Sequence, residues 1–245
     1  LNQTSLSFLT KLKKLEQQLT ITRLADFSYS DARDALDILK IRIQVRGGQI
    51  EESESFSTAT RQALLREVNH LVSGITAIVG IITRSASVRN PFELYAPFLE
   101  ICKSLVGHDA RLILSSEWEY VPFTYPQSLA ELPQFIIIGL PAPESDNVLI
   151  FPAAGHELGH SIWSRHALTS HFGEQIEGRV NEAFRQHQTK FEDAYPNLKG
   201  ADLDQDMFVQ NIKASIFSSA MSQAEETFSD FVGLLLFWGK LPFCV

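Results

Sequence analysis

The 245-residue chain reads as an α+β protein dominated by helices, with a small mixed or antiparallel sheet beside the helix that carries His-Glu-Leu-Gly-His at 156–160, and a helical extension at its N-terminus. Three observations predict this. Apolar residues recur at i, i+3, i+4 and i+7 over most of the chain. Between residues 111 and 139 the pattern changes to short apolar runs bounded by polar and proline-rich turns, as strands require. A hydrophobic content of 44% over this length is enough to bury a full core.

Taken in order, residues 3–19 place Leu6, Leu9, Leu12, Leu15 and Leu19 at helical spacing with lysine and glutamine between them. Residues 30–46 predict a second, charged helix that stops at the Gly47-Gly48 pair, since glycine after the last periodic position commonly ends a helix. Residues 1–50 are thus expected to form a helical hairpin or extension. Packing into a bundle is the first expectation for such a pair, with self-association or docking as the function it could serve. The acidic, serine-containing stretch 49–56 is the expected boundary, leaving 51–245 as the main domain. Residues 57–83 then carry Leu64, Leu65, Val68, Leu71, Val72, Ile75, Ile78, Val79 and Ile82 as one long buried helix. Asn90, Pro91 and Glu93 supply a cap, a first-turn proline and a capping carboxylate for a helix ending near Leu105.

Strands are expected at 111–114, 119–123 and 135–139, and Pro122 marks the middle one as an edge. Asp146 and Asn147 form a turn, 148–151 a short buried strand, and Pro152 opens a helix running to about Arg165. Two more helices are predicted at 171–193 and 203–220, followed by a last one from Ser222 to about 238. Ser222 and Glu225 match a capping box, S-x-x-E, which assigns Glu225 to the start of that last helix.

Composition narrows the function classes. A formal net charge of −8 disfavours a duplex nucleic-acid binder, which needs a basic face. The longest apolar run, 71–83, is interrupted by Ser73, Gly74, Thr76 and Gly80 and is too short to span a bilayer, so no membrane partner is expected. No basic segment leads into an apolar block near Leu1, so no signal peptide is expected. Cys102 and Cys244 stand alone without a CxxC, which favours a reducing compartment and a cytoplasmic location.

The chemistry lies in residues 156–160. Two histidines four apart leave an α-helix about 40° from each other, so both imidazoles can reach one metal ion. Glu157 then stands beside that ion, placed to take a proton from a water and later deliver it to a leaving amine. A third protein ligand is needed. His166, six residues after His160, has the spacing of the third histidine in metzincins, HExxHxxGxxH, but Trp163 stands where that pattern needs glycine. Farther along, Glu226 and Asp230 share a helix face, which would let Glu226 bind the metal while Asp230 accepts a hydrogen bond from a ligating histidine.

HExxH followed by ExxxD resembles the gluzincin metallopeptidases of the thermolysin-like clan. The resemblance covers about residues 147–167 and 222–238 and implies a zincin-like fold around one zinc ion. It further implies His156, His160 and Glu226 as ligands, Glu157 as general base and Asp230 as the group orienting a ligand histidine. The expected activity is hydrolysis of a peptide or protein substrate, which would add as an extra strand to the edge of the sheet. A zinc-binding but catalytically silent regulatory or interaction module, and a zinc hydrolase of non-peptide amides or esters, are the alternatives. Such enzymes also use a histidine or tyrosine to steady the transition state. No His, Tyr or Arg follows Asp230, so the expected donor is upstream, among Tyr120, Tyr125, His171, Arg179 and Tyr195, or in polypeptide outside this chain. His187 falls on an apolar stripe and is expected at the edge of the core.

Overall fold

Side-chain alternation along the strands decides the layering. The computed structural model describes residues 2–87, 92–118, 122–124, 131–144, 147–199 and 205–238. Its sheet consists of β1 (Arg111–Glu117), β2 (Phe123–Thr124) and β3 (Phe135–Pro141) in the order β1-β3-β2. β1 and β3 run parallel, pairing Arg111 with Phe135 through Glu117 with Pro141, and β2 joins β3 antiparallel with Phe123 opposite Gly139. The sheet is therefore mixed, and β2 lies at its edge, as Pro122 suggests. Gly139 makes room there for the Phe123 ring, into which a Cβ would run.

Ile113 and Ile137 turn to one face and join a core built from α1 (Gln3–Thr22), α2 (Ser30–Glu52) and α3 (Thr58–Ser87). Leu112, Leu114, Ile136, Ile138 and Leu140 turn to the other, against α4 (Phe92–Leu105) and α5 (Phe151–Arg165). Because both faces are covered, β3 reads in sequence as an unbroken apolar run. The chain is completed by α6 (Leu168–Gln186), α7 (Gln188–Ala194) and α8 (Met207–Trp238). The fold is helix-dominated α+β, with eight α-helices among the described residues.

α1 and α2 form an antiparallel hairpin, clasped by Arg23 with Asp37 at 2.5 Å and Gln44 with Glu16 at 2.6 Å. Leu9, Leu12, Leu15 and Leu19 are buried as the heptad-like spacing predicts, whereas Leu6 is exposed. α2 does not stop at Gly47-Gly48 but continues to Glu52. Two helical glycines sacrifice roughly 1 kcal/mol each relative to alanine, and the burial of Ile43 and Ile50 on either side outweighs that. Buried Asp31 anchors the hairpin to the sheet by accepting the Leu112 N–H at 2.8 Å, and Arg111 pairs with Asp34. Burial, with Asp31 beside it, holds the Tyr95 phenol above its ordinary range.

α3 is long and apolar enough to cross a membrane by length and composition alone. Its Val68, Ile75, Ile78 and Ile82 are buried in the core shared with α1, α2 and the sheet.

Four local expectations are corrected. Residues 148–150 form a 3-10 turn, not a buried strand, because Asn147 Oδ1 accepts the Leu149 N–H at 3.0 Å and Leu149 faces solvent. The stretch 171–193 is broken at His187, which is exposed between α6 and α7 instead of lying at a core edge. The last two predicted helices are one. Asp206 caps α8, accepting the Phe208 and Val209 N–H groups at 2.9 and 3.1 Å, and the helix passes through Ser222 without interruption. A capping box needs a non-helical residue to begin from, and 207–232 contain neither glycine nor proline to supply one. Asn90, Pro91, Asp146, residues 119–121 and Cys244 lie outside the described residues.

Candidate metal centre

The site is made where α5 and α8 cross antiparallel. Their backbones come so close that a Cβ on Gly159 would lie 2.5 Å from Ser229 Cα, and one on Gly233 2.7 Å from the Pro152 carbonyl oxygen. Small residues at both crossing points therefore set the separation of the two helices. Gly159 is the fourth letter of HELGH, so the motif encodes the approach of its partner helix as well as the donor atoms.

At that separation the side chains converge. His156 Nε2 and His160 Nε2 are 3.1 Å apart, and the Glu226 carboxylate reaches them with its two oxygens, Oε2 at 3.4 Å from His156 and Oε1 at 3.8 Å from His160. For a metal with bonds of about 2.0–2.1 Å, two tetrahedral ligand atoms stand about 3.3 Å from each other. The three observed separations bracket that edge length. His156, His160 and Glu226 form a group that could hold a metal ion, compatible with an HExxH…E arrangement.

The outer ring nitrogens are also engaged. His156 Nδ1 lies 2.9 Å from Asp230 Oδ1, and His160 Nδ1 lies 2.9 Å from Glu225 Oε1. An ionised carboxylate only accepts, so each Nδ1 carries the proton and donates it. Each Nε2 then presents a lone pair to the other and to the Glu226 carboxylate. A cation among them relieves that repulsion. Four carboxylates, of Glu157, Glu225, Glu226 and Asp230, gather around two histidines, and no lysine or arginine lines the adjoining cleft among the described residues.

Glu157 leaves α5 toward β2. Burial is the largest influence on its carboxyl and pushes it above the ordinary carboxylate range; His160 and His156 oppose this, Glu226 adds to it, and the Thr124 N–H donates to the carboxylate and lowers it. Thr124 also donates through Oγ1 to the Ile137 carbonyl at 3.0 Å and lies 3.1 Å from Ser161 Oγ, fastening the edge strand to α5. A cleft of about 510 Å³ opens beside these groups, walled by Pro122, Pro152, Ala153, Gly233 and Leu234, with His156, Glu157 and Asp230 on its polar side.

The structure thus brings together all five residues that the sequence nominates, His156, Glu157, His160, Glu226 and Asp230. His166 is elsewhere: it caps α5 and its Nε2 lies 2.9 Å from the Leu105 carbonyl oxygen, so the metzincin spacing has no counterpart in space. His171 packs on Phe172, Arg179 pairs with Glu182, and Tyr195 packs between Phe191 and Phe208. None of these three lines the cleft, and Tyr120 and Tyr125 lie outside the described residues. Sequence reasoning missed Glu225. Its signal was its place next to Glu226, masked by the S-x-x-E match that assigned it to a helix start.

No family model, curated protein or solved structure matches the chain. The reading of the site rests on its own side chains.

Proposed function

We propose that this chain is a zinc-dependent peptidase of gluzincin type. The observation that carries the proposal is the convergence of two imidazole nitrogens and the Glu226 carboxylate, with the base Glu157 beside them and a cleft opening on the same side. Two nitrogens and one oxygen suit zinc, and three protein ligands leave a coordination position free, as catalytic rather than structural sites do. Zinc held there would polarise a scissile carbonyl and acidify a water. Glu157 takes the proton of the attacking water and returns it to the departing amine, and its partly buried carboxylate is kept in place by the Thr124 N–H. Asp230 holds His156 in the tautomer that turns Nε2 inward.

A peptide or protein is the substrate class proposed, because the cleft borders β2, an edge strand with no further strand beyond it among the described residues, where an extended segment could add. Free, buried Cys102 is in keeping with a reducing compartment such as the cytoplasm.

The test is a neutral-pH screen against a peptide library with protein purified without chelator, with protein stripped by chelator, and with Glu157→Gln. Cleavage by the first alone, restored to the stripped protein by zinc, supports the proposal. Full activity in the stripped protein or in Glu157→Gln refutes it, and zinc without turnover assigns the chain to the silent-module alternative.

A further inference from the structure

We infer that Glu225 is a second positioning residue of the metal centre, acting on His160 as Asp230 acts on His156. The inference rests on the metal reading above and extends it to a residue whose sequence context points to a different role.

Position on the helix comes first. Since α8 is continuous from Met207 to Trp238, Glu225 sits well inside it and has no unpaired first-turn N–H to cap. Its carboxylate is turned toward α5, its side chain only 29% exposed, and its Oε1 lies 2.9 Å from His160 Nδ1. His160 is the deeper of the two histidines, its side chain 15% exposed against 25% for His156. A buried Nδ1–H without an acceptor is unfavourable, and nothing else among the described residues accepts it at hydrogen-bond distance.

Geometry couples the two roles. Glu225 and Glu226 are neighbours, about 100° apart around the helix, so one turn of α8 supplies a candidate metal ligand beside the inner nitrogen of His160 and a hydrogen-bond acceptor to its outer nitrogen. Asp230, one turn on from Glu226, serves His156. Each imidazole therefore has its own carboxylate, which fixes its ring plane, forces the proton onto Nδ1 and makes Nε2 a better ligand. Anionic partners on both rings also favour a bound cation over an empty pair.

Zinc affinity, measured by competition with a chromophoric chelator, tests this without reference to turnover. Glu225→Ala removes acceptor and charge, and a loss of about 10- to 100-fold is expected. Glu225→Gln keeps an acceptor oxygen but not the charge and should fall between wild type and Glu225→Ala. Asp230→Ala provides the scale. Thermal unfolding of the zinc-free and zinc-loaded proteins separates positioning from structure: the variants should fall further below wild type when loaded than when stripped. Wild-type affinity in both Glu225 variants, or an affinity loss matched by an equal fall in zinc-free stability, overturns the inference while leaving the metal reading intact. No zinc on the wild-type chain overturns the metal reading and the role of Glu225 with it.

Discussion

Gly159→Ala should loosen the protein and the candidate metal site together. The added Cβ would lie 2.5 Å from Ser229 Cα and 2.9 Å from Ser229 Cβ and Oγ, against ordinary contacts of about 3.5–4 Å between carbon atoms. The nearest atom is backbone, so no rotamer change makes room, and α5 and α8 must part by roughly 1 Å. Overpacking of this kind destabilises by about 1–3 kcal/mol, and the better helix propensity of alanine offsets about 1 kcal/mol of it. With a rigid obstacle the upper part of the range applies, and a net loss near 2 kcal/mol is expected in urea unfolding of the zinc-free protein. His160 adjoins Gly159 and Asp230 adjoins Ser229, so the same displacement stretches the 3.4 and 3.8 Å separations to Glu226 beyond one ion's span, and zinc affinity falls at least tenfold. Gly173 and Gly178, in α6, meet open space, and alanine there should stabilise by up to about 1 kcal/mol. If Gly159→Ala bound zinc like wild type and unfolded at the same urea concentration, the crossing would not be what holds the two halves of the site.

Other consequences follow from single contacts. Burial pushes the Cys102 thiol up to about 12, so maleimide at pH 8 should label it only after unfolding. Because the unfolded thiol ionises near 8.5, the folded state holds its proton where the unfolded state has lost it, and stability should decline between about pH 8.5 and 12; Cys102→Ala should flatten that part of a pH series of urea midpoints. Asp31→Ala leaves the Leu112 N–H without its buried acceptor and should cost about 1–3 kcal/mol by the same unfolding assay. Ala167 joins α5 to α6 with φ of 50°, a left-handed conformation hostile to branched side chains. Valine there should lower stability by about 1–2 kcal/mol, while glycine should be tolerated.

What could be read from the chain follows the range of the interactions involved. HELGH, and Glu226 with Asp230, were legible because helical spacing is local: once each segment is helical, i and i+4 share a face whatever else the fold does. The strands β1 and β3 were legible because short apolar runs bounded by turns mark buried strands, whereas their parallel pairing was not. Boundaries decided by distant packing were not. Gly47-Gly48 looks like a stop until Ile43 and Ile50 are seen buried in the core that α2 shares with α1 and α3. Ser222 looks like a start until Asp206 is found to cap the same helix sixteen residues earlier. That second error hid Glu225: its place next to Glu226 was masked by the S-x-x-E match, and the partner that reveals its role is His160, 65 positions away. His187 follows the apolar stripe of Ile176, Val180, Phe184 and Phe191, which stays half-buried while His187 itself is exposed at the break between α6 and α7.

Zinc K-edge X-ray absorption on protein purified without chelator addresses the metal centre itself. One zinc per chain is expected, in a four-coordinate shell of nitrogen and oxygen at about 2.0–2.1 Å, with the outer-shell scattering of two imidazoles and no sulfur. Glu226→Gln should lower the zinc content without removing the imidazole signal. A zinc-free protein, a shell containing sulfur, or a site with fewer than two imidazoles would contradict it.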